Sequence, residues 1–311
     1  MFCAFLAGLL TIGVAVLMPG GENRNGKSAS LKGLSAPTVG PGESAQAVSP
    51  PPRDSLPVEV PTPRLAIVVD GCGYDPTGDA EWLKFPEKIT MAVIPFGPSS
   101  RRLPRAAHER GFGVLIHAPM EPEGPVSDRT GDFRFLRGMS GKQMDALLGR
   151  MIEENAWASG VSNHMGSAFT SDPESMARFA SLLKSRGLFF LDSVTTSRSV
   201  AVQAALQAGI PVTRRDVFLD TGIRPEEMRL RWKKALSIAK EKGKAVLVCN
   251  GRRESLRAIL DLVPDLETEG IRAVTLDELF AKDRPSLARI RKAPSSRPLA
   301  FPERGRFRGG S

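Results

Sequence analysis

The stretch RLAIVVDGCGY, Arg64 to Tyr74, constrains the fold more than any other part of the chain. Its apolar run, Leu65 to Val69, is rich in β-branched residues, ends on Asp70 and breaks at Gly71 and Gly73. A short run of this kind reads as a strand buried on both faces, as in a parallel sheet covered by helices. An acid at its carboxyl end points to a site, because in parallel α/β folds these ends converge on one mouth. Seven further strand candidates follow, at Thr90 to Pro95, Gly113 to His117, Gly160 to Ser162, Leu188 to Asp192, Ile210 to Arg214, Ala245 to Cys249 and Ile271 to Leu276. The expected class is α/β: a (β/α) barrel, complete or incomplete, of seven or eight strands.

Helical patterns fill the gaps. Ser140 and Gln143 make a capping-box pattern ahead of Met144, Leu147, Leu148 and Met151, which repeat at helical spacing. Asp172 and Pro173 open a second helix with Met176, Phe179, Ala180 and Leu183 on one face and Gly187 after it. Pro225 opens a third, with Met228, Trp232, Ala235, Leu236 and Ala239 on one side and Gly243 as its stop. These Met and Trp stripes read as core packing.

The flanks differ in kind. Residues 1–18 are apolar without a charged side chain, which reads as an export signal or an N-terminal membrane anchor. Arg24, Lys27 and Lys32 follow it with no basic residue before it, a bias opposite to the one export favours. Residues 19–63, rich in Gly, Pro, Ser and Ala, read as a flexible tether, and 64–280 as the barrel. The net charge of +9 is located mostly at the other end: residues 281–311 hold nine Lys/Arg against two acids. That tail reads as disordered and basic. It lacks aromatic interleaving and any RNA-binding signature, so nucleic acid is a disfavoured partner.

The strand ends carry Asp70, His117, the pair Asn163 and His164, Asp192, Arg214 and Asn250. Two of the chain's three histidines fall there; the third, His108, lies inside a helical pattern. Two imidazoles with one or two carboxylates suit zinc or a similar divalent ion, which polarises a carbonyl and activates water beside a free carboxylate base. The three cysteines, Cys3, Cys72 and Cys249, match no zinc-finger or CxxC spacing. The chain has no nucleophile elbow, Walker loop or HExxH motif.

At these residues the chain resembles the divergent polysaccharide deacetylase family, a branch of the polysaccharide deacetylase superfamily. The blocks that carry the resemblance are IVVDGCGY, MAVIPFGP, LIHAPMEP, VSNHMGSAFT, GLFFLDSVT and RRDVFLD, in order between residues 67 and 220. The resemblance implies a polysaccharide-deacetylase-like barrel, often incomplete, with an envelope location, periplasmic or extracytoplasmic, and a metal-dependent deacetylase ancestry. It implies a metal on His117, His164 and Asp70, with Asp70 and Asp192 as the acid–base groups, and an envelope or peptidoglycan-type glycan as substrate.

Two positions depart from the family pattern, which has a second aspartate where this chain has Gly71 and a glycine–histidine pair where it has Cys249 and Asn250. Glycine offers no ligand and asparagine carries no titrating proton. Two explanations stay open. In one, the site has decayed and the barrel binds envelope glycan or an envelope protein, with no cofactor. In the other, Cys72 or Cys249 supplies a thiolate ligand, or the two form a disulfide. As small buried hydrophobes they would do neither.

Overall fold

The computed structural model describes residues 61–126, 130, 133–222 and 224–280. The expected anchor, the tail and all but the last three residues of the tether lie outside the described residues. The described residues form nine strands: β1 Arg64–Cys72, β2 Thr90–Val93, β3 Gly113–Met120, β4 Gly160–Met165, β5 Phe189–Asp192, β6 Val212–Arg214, β7 Val217–Phe218, β8 Lys244–Asn250 and β9 Arg272–Val274. The helices between them are α1 Pro76–Trp82, α2 Leu103–Glu109, α3 Gly141–Glu154, α4 Pro173–Ser185, α5 Ala201–Ala208, α6 Pro225–Lys242, α7 Arg253–Leu262, α8 Asp265–Thr268 and α9 Leu276–Phe280.

All pairings are parallel, in the order β6-β5-β4-β3-β2-β1-β8-β7. β8 runs along one edge of β1, while β9, off this path, pairs with the first residues of β1 below the point where β2 begins. The end strands β6 and β7 are separated in sequence by Arg215 and Asp216 alone. Two residues reach only about 7 Å, so the far edges of the sheet must curl together. The result is an incomplete (β/α) barrel. All eight expected strands are present; the two-residue β7 was missed because so short a segment has no period to read.

Helix ends form where their local chemistry dictates. Ser140 and Gln143 complete the capping box of α3, and Asp172 accepts the Ser175 N–H at 2.9 Å to start α4. α6 ends at Gly243, whose φ of 73° is a left-handed cap that residues with a Cβ resist.

The two-residue period of each strand divides the core into two layers. Leu65, Ile67 and Val69 of β1 face outward to the helices with Trp82, Trp232 and Ile259. On the same helix-facing side, further along the sheet, Phe179 of α4 sits among Phe135, Phe169 and Phe190. Ala66 and Val68 face inward and meet Leu115, Phe189, Leu191, Val246 and Val248 in the barrel interior. This division also sorts the polar residues at the strand ends.

Candidate functional site

Asp70 continues the inward row of Ala66 and Val68, and His117 shares the face of Leu115. By the same alternation Ser162 and His164 oppose Val161, which packs on the helix side. The mouth is built from these four residues. The His117 Nδ1 lies 2.8 Å from the Ser162 hydroxyl and 3.7 Å from Asp70 Oδ1. The His164 ring meets His117 edge-on, with centroids 5.0 Å apart.

Asp70 is 6% exposed, and its Oδ1 is buried without a hydrogen-bond partner. Burial pushes its carboxyl up to about 8, aided by the Asp220 carboxylate and opposed by the Arg215 guanidinium. Burial also holds His117 well below the ordinary imidazole range, and His164 acts in the same direction. Both shifts favour the uncharged forms of the carboxyl and the imidazole at the centre of the mouth.

Asp220 and Arg215 also act on Asp70, and their place was not picked out in the sequence. Val217 and Leu219 face the helices, so Asp220 turns inward. It accepts the Asn250 N–H on both oxygens at 3.1 Å and the Ser255 hydroxyl. The signal was available: Asp220 closes the apolar VFL stretch much as Asp70 closes the run Leu65 to Val69. Arg215 donates from Nη2 to the Val194 carbonyl at 2.9 Å and from Nε to the Ser193 carbonyl.

Other expected site residues go elsewhere. Asn163 and Asp192 have the alternation of the outward residues Val161 and Phe190. Asp192 accepts the Val194 N–H and the Ser199 hydroxyl, each at 2.8 Å. Asn163 accepts the Ser193 N–H at 2.8 Å and donates to the Met165 carbonyl at 2.8 Å. Both residues shape the rim, where Met165 and Val194 hold left-handed backbone at φ 54° and 50°. Arg214 lies outward with Val212, exposed, in a recess with Asp216, Lys242 and Lys244. Asn250 stands level with Asp70 in the β1–β8 register. Gly71 is exposed at φ 80°.

The cysteine alternatives are corrected here. Cys72 and Cys249 are both free and buried, so no disulfide links them. They belong to the helix-facing core, and burial pushes both thiols well above their usual range, away from the thiolate a metal needs.

The chain matches the divergent polysaccharide deacetylase family over residues 67–280, more than half its length. It belongs to that family. A relative in Escherichia coli, the uncharacterized protein YibQ, is 32% identical over 65% of this chain, and the match spans only 63% of that relative's length. An uncharacterized protein of Haemophilus influenzae is 30% identical over 75% of this chain and 84% of its own. The crystal structure of the uncharacterized protein ATU2773 from Agrobacterium tumefaciens is similar with a TM-score of 0.67 and 26% identity, covering 71% of this chain and 90% of that one.

The wider deacetylase ancestry implies a divalent metal, and the donor set of this family member can be tested against one. Asp70, His117 and His164 gather at the mouth, but no group of three or more His, Cys, Asp or Glu side chains among the described residues is arranged to hold an ion. Gly71 adds no donor, and the thiols are turned away. The residues present do not fit a resident divalent metal.

Proposed function

We propose that this divergent deacetylase is a glycan-binding protein of the cell envelope, holding an acetylated, peptidoglycan-type polysaccharide at its mouth without metal-dependent hydrolysis. The observation that carries this reading is Asp70 Oδ1, a buried acceptor with no partner beside a neutral His117. An unsatisfied buried polar atom costs about 1–3 kcal/mol, and a sugar hydroxyl or acetamido N–H would relieve it. The apolar residues 1–18 and the Pro-rich tether support export or anchoring, with the barrel extracytoplasmic and within reach of the glycan. Among the described residues no helix is long and apolar enough to cross a membrane.

Titration calorimetry of the full chain with N-acetylated and de-acetylated glycan oligosaccharides tests the proposal. It expects binding of the acetylated form, unchanged by chelator and weakened at least tenfold by His117→Ala. Release of acetate that chelator abolishes would overturn it.

A second reading, acetyl hydrolysis at the same mouth, is favoured by the titration of Asp70 at about 8, close to the range useful for a general base. It requires acetate release that rises with pH through about 8 and is lost in Asp70→Asn. Absence of both binding and release would leave an envelope protein as the partner class.

A further inference from the structure

A concavity of about 770 Å³ opens between the loop that follows β2 and the last turns of α3. Its size suits a small ligand or one or two sugar units. Phe96 and Phe133 form its aromatic part, with ring centroids 4.4 Å apart. Phe96 holds a φ of 66°, which a bulky side chain rarely adopts, and strain of this kind gathers at binding sites. The Arg150 guanidinium lies over both rings, 5.3 Å from the Phe96 centroid and 4.8 Å from that of Phe133.

Stacking orients a guanidinium while leaving its N–H edge available for a planar anion. Arg101, by contrast, is committed to Glu154 at 2.6 Å, and the Ser100 hydroxyl holds the other oxygen of that glutamate at 3.1 Å. Arg102 and Arg150 form no ion pair among the described residues and both are exposed. Glu153 is the remaining carboxylate on the wall. The cleft is tied to the mouth by backbone: the Ser99 N–H donates to the Gly73 carbonyl at 3.0 Å, three residues after Asp70.

We propose that this cleft is an anion subsite, in which Arg150 and Arg102 receive the carboxylate or phosphate of an acidic sugar and the Phe pair takes the apolar face of the ring. The inference rests on the glycan reading for the identity of the carrier and adds the charge of the ligand.

The test is calorimetry of the full chain with a carboxylate-bearing oligosaccharide, its carboxyl-reduced counterpart and a phosphate-bearing analogue. The parent is expected to bind at least one anionic form about tenfold or more tightly than the reduced one, and the tighter of the two identifies the anion. Arg150→Gln should erase that preference. Arg150→Lys should not restore it, because an ammonium lacks the planar fork. Equal binding of acidic and reduced forms by the parent would overturn the subsite and leave the glycan reading standing. A preference that survives Arg150→Gln would also overturn it. Failure to bind any of the three would overturn both.

Discussion

Asp70 Oδ1 and His117 Nδ1 face each other at 3.7 Å inside the barrel, too far apart for a hydrogen bond and too buried for bulk water to intervene freely. Burial, more than this spacing, favours the uncharged form of each. Desolvation outweighs any ion-pair gain, as expected where two charges would have to leave water together.

The raised carboxyl carries a sign for stability. An aspartate bound to its proton up to about pH 8 in the folded state, and only to about 4 when unfolded, stabilises the fold at low pH. That contribution is lost as pH rises from about 4 through about 8. Urea unfolding of the parent and of Asp70→Asn should therefore diverge across this window, the parent losing a few kcal/mol relative to the variant. Parallel curves would mean that the carboxyl titrates normally.

Asp220 helps to raise Asp70, so Asp220→Asn should lower the Asp70 titration midpoint, read by carbonyl infrared difference spectroscopy. The same change weakens the grip on the Asn250 N–H and the Ser255 hydroxyl and should cost about 1–3 kcal/mol. A midpoint unchanged from the parent would remove Asp220 from the electrostatics of the mouth.

Phe179 lies among Phe135, Phe169 and Phe190, with centroids 4.8 to 6.1 Å away, and it is fully buried. Phe179→Ala should destabilise the barrel by about 3–5 kcal/mol in denaturant unfolding. Asp172→Ala, which removes only the cap of α4, should cost about 1 kcal/mol. If the two losses were alike, the ring cluster would not be the anchor of this half of the core.

Much of this was legible in the sequence, and the boundary has a physical cause. The run Leu65 to Val69, the capping box at Ser140 and the Asp172-Pro173 start are local signals, and the elements they mark formed as expected. Asp70, His117 and His164 were readable because each ends or follows an apolar run. Which polar residues share a face depends on strand phase. Asp192 sits one residue out of step with Leu191, and Arg214 one out of step with Arg215, so proximity in sequence misassigned them. The pairing of Asp220 with Asn250 spans 30 residues and becomes visible only when β7 lies against β8.

Gly71 marks where a third donor is missing. A Cβ built there meets nothing within 4 Å, although its φ of 80° makes any side chain strained. Gly71→Asp should cost about 1–2 kcal/mol of stability and create measurable zinc affinity where the parent has little. A variant that binds no more zinc than the parent would show that position 71 does not aim into the mouth.

The central claim, a mouth arranged for hydrogen bonding and not for a metal, is tested most directly by elemental analysis of the full chain. The protein would be purified without chelator, dialysed against zinc and then against metal-free buffer, and compared with a His117→Ala, His164→Ala double variant. The account predicts far less than one ion per chain in the parent, with no difference between the two proteins. Near-stoichiometric zinc in the parent, lost in the double variant, would contradict it and return the family's hydrolytic chemistry to this site.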